Sequence, residues 1–400
     1  MNKLVLIFLL SVSMISVAAI SPRTYNALND LQEALSLAVD NKQYSEIESG
    51  IEELLNGLQG NALGQALALQ LQAQLKDAQG EPKEALTSLK KAYALKGLDV
   101  STKAQIGTSL AYMYFSQGDY SNAILILESY IKGLKKEPSG TILALTAMSY
   151  FGLDDYSAGL PYIEKACEVS VKPNESWLAN AFAANYKLND LKRAIYYTNL
   201  LVLNFPEKPE YWLQKTGLHQ SLEEYEKAAL SSSLSNQQGY LAKESEFFNL
   251  GVLMASAGAP YEVAVTLERA IDLSLIESSE KIERLLMQAW VQSKEMPNAI
   301  KSLRAIYFKY NDPKDGVLLA NYLMDAELWV DALSVTGKLM EAKEALTEKQ
   351  LGTVLLMSGV SHFRNGNIQT ALVDLGKASG LAEFSNQAKS WMNYIKQMQG

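Results

Sequence analysis

The chain has 400 residues, 48% of them apolar, with 36 basic against 44 acidic side chains for a formal charge of −8. No long block of like charge appears, so nucleic acid has no electrostatic footprint to recognise and the acidity serves solubility. The single cysteine, Cys167, cannot form an internal disulfide, which excludes a fold that depends on covalent staples.

Residues 1–19 read as a cleavable signal peptide. Met1-Asn2-Lys3 is a short basic start, Leu4 to Leu10 is apolar, and Val17-Ala18-Ala19 places small residues at the −3 and −1 positions of a cleavage site. Export to a periplasm follows as an expectation. An uncleaved anchor is the alternative, since the apolar run to Ile20 approaches the length of a spanning helix. No cysteine follows the run, so a lipoprotein anchor is excluded. No later stretch is long and apolar enough to cross a bilayer, so no membrane insertion is expected after cleavage.

From residue 20 onward one pattern recurs. Tyr112-Met113-Tyr114-Phe115-Ser116-Gln117-Gly118-Asp119-Tyr120-Ser121-Asn122-Ala123 reads as the end of one helix, a turn, and the start of a second helix with a small or apolar residue three places after the turn residue. The same pairing runs through Tyr44 with Ile47, Pro82 with Ala85, Tyr120 with Ala123, Tyr156 with Gly159 and Leu191 with Ala194. It continues through Tyr225 with Ala228, Tyr261 with Ala264, Met296 with Ala299, Trp329 with Ala332 and Ile368 with Ala371. The ten units have a mean period of 36 residues, with gaps between 33 and 39.

The residue types explain the shape. Gly80, Gly118, Gly258 and Gly366 stand just before the turn, where a left-handed backbone ends a helix without a Cβ penalty. The turn aromatic is expected to wedge between the helices of its own unit. The small residue after it lets the two helices approach to about 8–10 Å. Pro138, Pro173, Pro206 and Pro313 fall between units, where the missing N–H costs little. Pro260 is expected to lengthen its turn by one residue. Ser231 to Gly239, rich in serine and asparagine, reads as a loosened loop between units. The repeats are assigned to residues 20–384. Residues 385–400, with Ala388, Trp391, Met392 and Ile395 on one face, suit a helix capping the last unit.

A period near 34 with two helices per unit is the tetratricopeptide signature, and the chain resembles that family across essentially all of residues 21–400. The resemblance implies an all-α fold: a right-handed superhelical solenoid of about ten helix-turn-helix units with a C-terminal capping helix. A narrower resemblance rests on Arg23-Thr24-Tyr25, Pro173-Asn174-Glu175-Ser176-Trp177, Tyr211-Trp212-Leu213-Gln214, Glu244 to Leu250 and Ala257 to Tyr261. These stretches are similar to exported repeat proteins that accompany TonB–ExbB–ExbD energy-transduction systems. That likeness implies protein partners, among them TonB- or ExbD-type periplasmic segments. Phe182, where the repeat wants a small residue, and Leu191, which replaces the turn aromatic, depart from the pattern.

No catalytic constellation is legible. His219 and His362 lie in different repeats without neighbours at metal-ligand spacing, and no phosphate-cradling or nucleophile-elbow motif is present. No cofactor and no metal are expected, and a non-catalytic protein is. In the tetratricopeptide repeat the first helix of each unit lines the groove. On that basis Gln105, Thr108, Tyr112 and Phe115 face it in the third unit. Thr141, Ala144, Met148 and Phe151 do so in the fourth, and Ser176, Ala179, Ala183 and Tyr186 in the fifth. The protein-binding candidates are Gln105, Thr108, Tyr112, Phe115, Met148, Phe151, Ser176 and Tyr186. Their aromatics fit a peptide- or protein-binding groove; packing on the adjacent unit's second helix is the other reading. The expected function is an interaction scaffold assisting a TonB-type uptake system. The alternative is an envelope protein associated with peptidoglycan or carbohydrate, whose groove aromatics stack on sugars.

Overall fold

The computed structural model describes residues 20–41 and 44–399, so the signal-peptide expectation for residues 1–19 lies outside the described residues. Among the described residues the fold is all-α, with 21 α-helices and one short 3-10 turn, Lys343–Ala345. They form two compact units, one ending at Tyr211 and the other starting at Trp212.

The first unit contains α1 (Pro22–Asn41), α2 (Ser45–Gly57), α3 (Ala62–Gln79), α4 (Pro82–Ala94), α5 (Val100–Ser116) and α6 (Tyr120–Gly133). It continues with α7 (Gly140–Phe151), α8 (Tyr156–Val169), α9 (Glu175–Lys187) and α10 (Leu191–Asn204). The boundary falls inside α11 (Pro209–Ser221). The second unit goes on with α12 (Tyr225–Gln237), α13 (Glu244–Ser256), α14 (Pro260–Asp272), α15 (Glu280–Gln292), α16 (Met296–Tyr310) and α17 (Pro313–Asp325). It closes with α18 (Trp329–Glu341), α19 (Glu348–Arg364), α20 (Ile368–Ser379) and α21 (Ser385–Gln399). Along most of the chain, helices pack on their chain neighbours as helix-turn-helix pairs.

Eight of the ten turn residues read from the sequence are the first residue of a second helix; Tyr44 precedes Ser45 by one and Tyr261 follows Pro260 by one. The small residues behind them are sealed. Ala85, Ala123, Ala194, Ala228, Ala264, Ala299, Ala332 and Ala371 are all fully buried. The turns end in a left-handed residue, glycine at 80, 118, 258 and 366 with φ between +76° and +82°. The same conformation is held without glycine by Asp154, Asn189, Glu223, Lys294 and Glu327, with φ between +57° and +63°. What carries them is the helix-ending bond from the next residue: Asp155 N–H to Tyr150 O, Asp190 to Asn185, Glu224 to His219, Glu295 to Trp290 and Leu328 to Leu323, all 2.8–3.0 Å. Asp119, Asp155 and Asp190 then cap the second helix, each side chain accepting an N–H three residues on.

Three expectations about the chain need correction. Pro260 does not lengthen its turn. It is the first residue of α14, the position of Tyr120 in α6, where its missing N–H would have gone unpaired in any case. The turn aromatic is not confined to its own unit. The Tyr120 ring lies against the next unit's Gly152, where an added Cβ would fall 2.5 Å from a ring carbon. Finally, Ser231 to Gln237 is not a loop but the last two turns of α12. Serine is a poor helix former because it can bond backbone outside the helix. Ser233 spends that capacity inside the helix, donating to Ala229 O at 2.7 Å, while Ser231, Ser232 and Ser235 are buried.

At the C-terminal end, α21 packs Ala388 and Ile395 against the cluster of Leu355, Leu356, Ala371, Leu375 and Phe384, with Trp391 and Met392 at its margin. That contact covers an apolar face of α19 and α20.

Candidate functional site

In the third repeat, α5 starts because Asp99 caps it, accepting from Ser101 and Thr102 N–H. Thr102 Oγ1 also donates to the carboxylate at 2.5 Å. These hydrogen bonds, Thr102's first, hold the Asp99 carboxyl below its ordinary range. Ile106, Leu110, Met113 and Tyr114 are buried, and Gln105, Thr108, Tyr112 and Phe115 are each half-buried. Thr108 donates back to Ala104 O at 2.9 Å. Tyr112 packs beside Ala111, Leu127, Ile142 and Leu145.

The three aromatics at one repeat position, Phe115, Phe151 and Tyr186, behave differently, and the turn residue decides how. Phe115 meets Tyr120 edge-on at 5.4 Å, and Phe151 stacks on Tyr156 at 5.3 Å. In the fifth repeat Leu191 stands where those tyrosines stand. Tyr186 pairs instead with Phe182, one helical turn back, at 6.1 Å, and remains 52% exposed. Met148 is half-buried, while Ser176 and Ala183 are exposed. Of the remaining groove residues, Thr141 is exposed, Ala179 is half-buried and Ala144 is buried. The candidates therefore divide. Phe115 and Phe151 close their own hairpins, whereas Ser176, Ala183 and Tyr186 present one open face of α9, with Phe182 supporting the tyrosine.

Polar bridges between repeats hold these helices in place. Glu128 of α6 accepts from Tyr150 OH at 2.6 Å and Tyr162 OH at 3.2 Å, whose rings stack at 5.8 Å. Burial and the Glu128 carboxylate together push the Tyr150 hydroxyl well above the usual phenol range. One period later Glu164 of α8 accepts from Arg193 Nε at 2.9 Å and Asn185 Nδ2 at 3.4 Å. The Arg193 guanidinium lies 5.0 Å from the Tyr196 ring centre. Glu175, at the start of α9, accepts from both Lys208 and Tyr211. Sequence reading missed this framework. Its one legible trace is the 36-residue spacing of Glu128 and Glu164, equal to the repeat period.

Among the described residues no three His, Cys, Asp or Glu side chains come together as a metal site. His219 is buried and bonds Glu224 through Nδ1 at 2.7 Å. Cys167 is 9% exposed, and burial, with Glu164 and Glu168 adding to it, pushes its thiol up to about 11. No described helix is long and apolar enough to cross a membrane.

Residues 13–193 match the tetratricopeptide repeat family. No protein of curated function matches the chain in sequence. Among solved structures, a tetratricopeptide repeat protein from Parabacteroides merdae aligns at 16% identity over 66% of this chain and 99% of its own, with a TM-score of 0.40. PilF of Pseudomonas aeruginosa aligns at 14% identity over 54% and 93%, TM-score 0.40. MamA of Desulfovibrio magneticus aligns at 16% over 43% and 94%, TM-score 0.37. Similarity at that level carries no inference about function.

Proposed function

We propose that this tetratricopeptide repeat protein is a periplasmic interaction scaffold that assists a TonB-type energy-transduction system by docking an extended protein segment. The general part of the reading, protein–protein interaction, follows from the repeat architecture. The observation that carries it to a place on the chain is Tyr186. It is a large aromatic, half-exposed, backed by Phe182 and set on a helix whose first residue, Glu175, is tied to Lys208 and Tyr211. An ordered aromatic loses little conformational freedom on binding, which is the property of an interface anchor. The TonB and periplasmic parts rest on the leader-like pattern of residues 1–19 and on the short stretches around Arg23, Trp177, Trp212, Phe247 and Pro260.

The experiment is a titration of purified TonB and ExbD periplasmic segments into the full chain, followed by calorimetry. Saturable binding that Tyr186→Ala weakens about tenfold, at an unchanged melting temperature, is the expected result; about 1.4 kcal/mol corresponds to that factor. Absence of heat with both segments removes the TonB assignment. Binding that is indifferent to Tyr186→Ala and Phe182→Ala removes the α9 face.

A further inference from the structure

In a chain with more acidic than basic residues, α16 carries Lys301, Arg304 and Lys309 and no acidic residue at all. One side of this helix is open. Pro297, Ile300, Lys301, Arg304, Ala305 and Phe308, which recur at helical spacing, line a groove of about 460 Å³ along it. Phe308 is 46% exposed, and the Lys338 ammonium of α18 stands 4.4 Å from its ring centre. Arg304 reaches Asp331 at 2.8 Å, whereas Lys301 and Lys338 make no ion pair among the described residues. The groove is thus apolar along its floor, aromatic at one end and cationic at its rim.

Such a surface fits a helix that presents carboxylates and an apolar side chain at the same spacing. The chain itself carries one. On α1, Asp30, Glu33 and Leu37 are all exposed, Leu37 at 68%. They stand at i, i+3 and i+7, on one face of the helix, and Asp30 and Glu33 make no ion pair among the described residues. Lys301, Arg304 and Phe308 also stand at i, i+3 and i+7. Laid parallel, the two stripes therefore bring Asp30 to Lys301, Glu33 to Arg304 and Leu37 to Phe308 together. An antiparallel arrangement that pairs the charges sets Leu37 against Pro297 and leaves Phe308 facing Asn26.

We propose that α1 of one copy docks in parallel along α16 of a second copy, with Leu37 on Phe308 and the Asp30 and Glu33 carboxylates among Lys301, Arg304 and Lys338. The contact is separate from the α9 face. Its two sides differ, so it is heterologous: each copy offers α1 to one neighbour and α16 to another, which builds a ring or an open chain of copies. A single helix pair is a small interface with exposed charges, so the association is weak and falls as salt screens it.

Sedimentation equilibrium of the purified full chain, from about 1 μM to about 1 mM, spans the range of weak association. The expected result is a mass that rises above that of one chain with concentration and falls back with added sodium chloride. Lys301→Glu, Asp30→Lys and Phe308→Ala should each weaken association about tenfold. Lys83→Glu, exposed on α4, should leave it unchanged. Circular dichroism checks that each variant is folded. The decisive arm mixes Lys301→Glu chains with Asp30→Lys chains. The mixture keeps one intact α1 and one intact α16, and it should recover a two-chain complex that neither variant forms alone. A single-chain mass at every concentration overturns the proposal and leaves the groove to a partner other than this chain. Association that survives Lys301→Glu, or that the mixture fails to restore, overturns it as well.

Discussion

Gly159 offers a test in which local propensity and packing predict opposite signs. It occupies the fourth position of α8, where seven other repeats have a buried alanine. Replacing a helical glycine by alanine gains about 0.5–1 kcal/mol from backbone entropy and propensity. Here the added Cβ would lie 2.6 Å from Phe151 Cε1, 2.8 Å from Cδ1 and 2.9 Å from the backbone oxygen of Ala147. The ring can shift only by breaking its stack on Tyr156, and the carbonyl belongs to the neighbouring helix. Overpacking of this kind costs about 1–3 kcal/mol, so Gly159→Ala should be destabilising by roughly 1–2 kcal/mol net. Gly217 of α11 and Gly337 of α18 are the controls, since a Cβ at either meets nothing within 4 Å. Gly217→Ala and Gly337→Ala should each stabilise by about 0.5–1 kcal/mol. Urea unfolding followed at 222 nm distinguishes the cases through the free energy of each variant. A Gly159→Ala chain as stabilised as the two controls would refute the close approach of α7 and α8.

Ala123→Leu should destabilise by about 1–3 kcal/mol, because Ala123 is fully buried among Leu110, Met113 and Tyr114; the same urea titration reads it. Burial pushes Glu283 up, but hydrogen bonds from Lys309 and Ser278, 2.8 Å each, outweigh it and hold the carboxyl below its ordinary range. The folded value is thus below the unfolded one. The stability it supplies is complete above about pH 4.3 and lost as pH falls through the folded value, so Glu283→Gln should flatten acid unfolding between about pH 5 and 3. Cys167, with its thiol at about 11, should resist a thiol-specific reagent at pH 8 in the native chain and react at once in urea.

The helical hairpins were legible because each is written locally. A turn residue, a small residue three places later and a residue that tolerates a left-handed backbone recur within a few positions. Where the left-handed residue is Asp154 or Lys294 the glycine signal is lost, yet the turn persists, because the bonds to Tyr150 and Trp290 and the buried partner helix fix it. The serines of α12 were misread for a related reason. Propensity marks Ser231 to Gln237 as weak helix, and burial against neighbouring helices overrides it. The candidate face was legible only as a set of positions. Whether Phe115, Phe151 or Tyr186 stays open depends on what stands five residues on, at the start of the next helix. Helix spacing alone does not carry that information, although Leu191 in place of an aromatic was its visible sign. The bridges from Glu128 and Glu164 join residues 21–34 apart and depend on side-chain direction, so no local pattern announces them.

The central claim is that recognition occurs on the open face of α9. A photo-activatable phenylalanine analogue placed at Tyr186 in the full chain, irradiated in intact cell envelopes, tests it most directly. Leu125, 67% exposed on α6, serves as the comparison position. The account predicts a discrete protein adduct from position 186 and none from position 125. An unmodified chain at 186, or the same adducts from both positions, would contradict it.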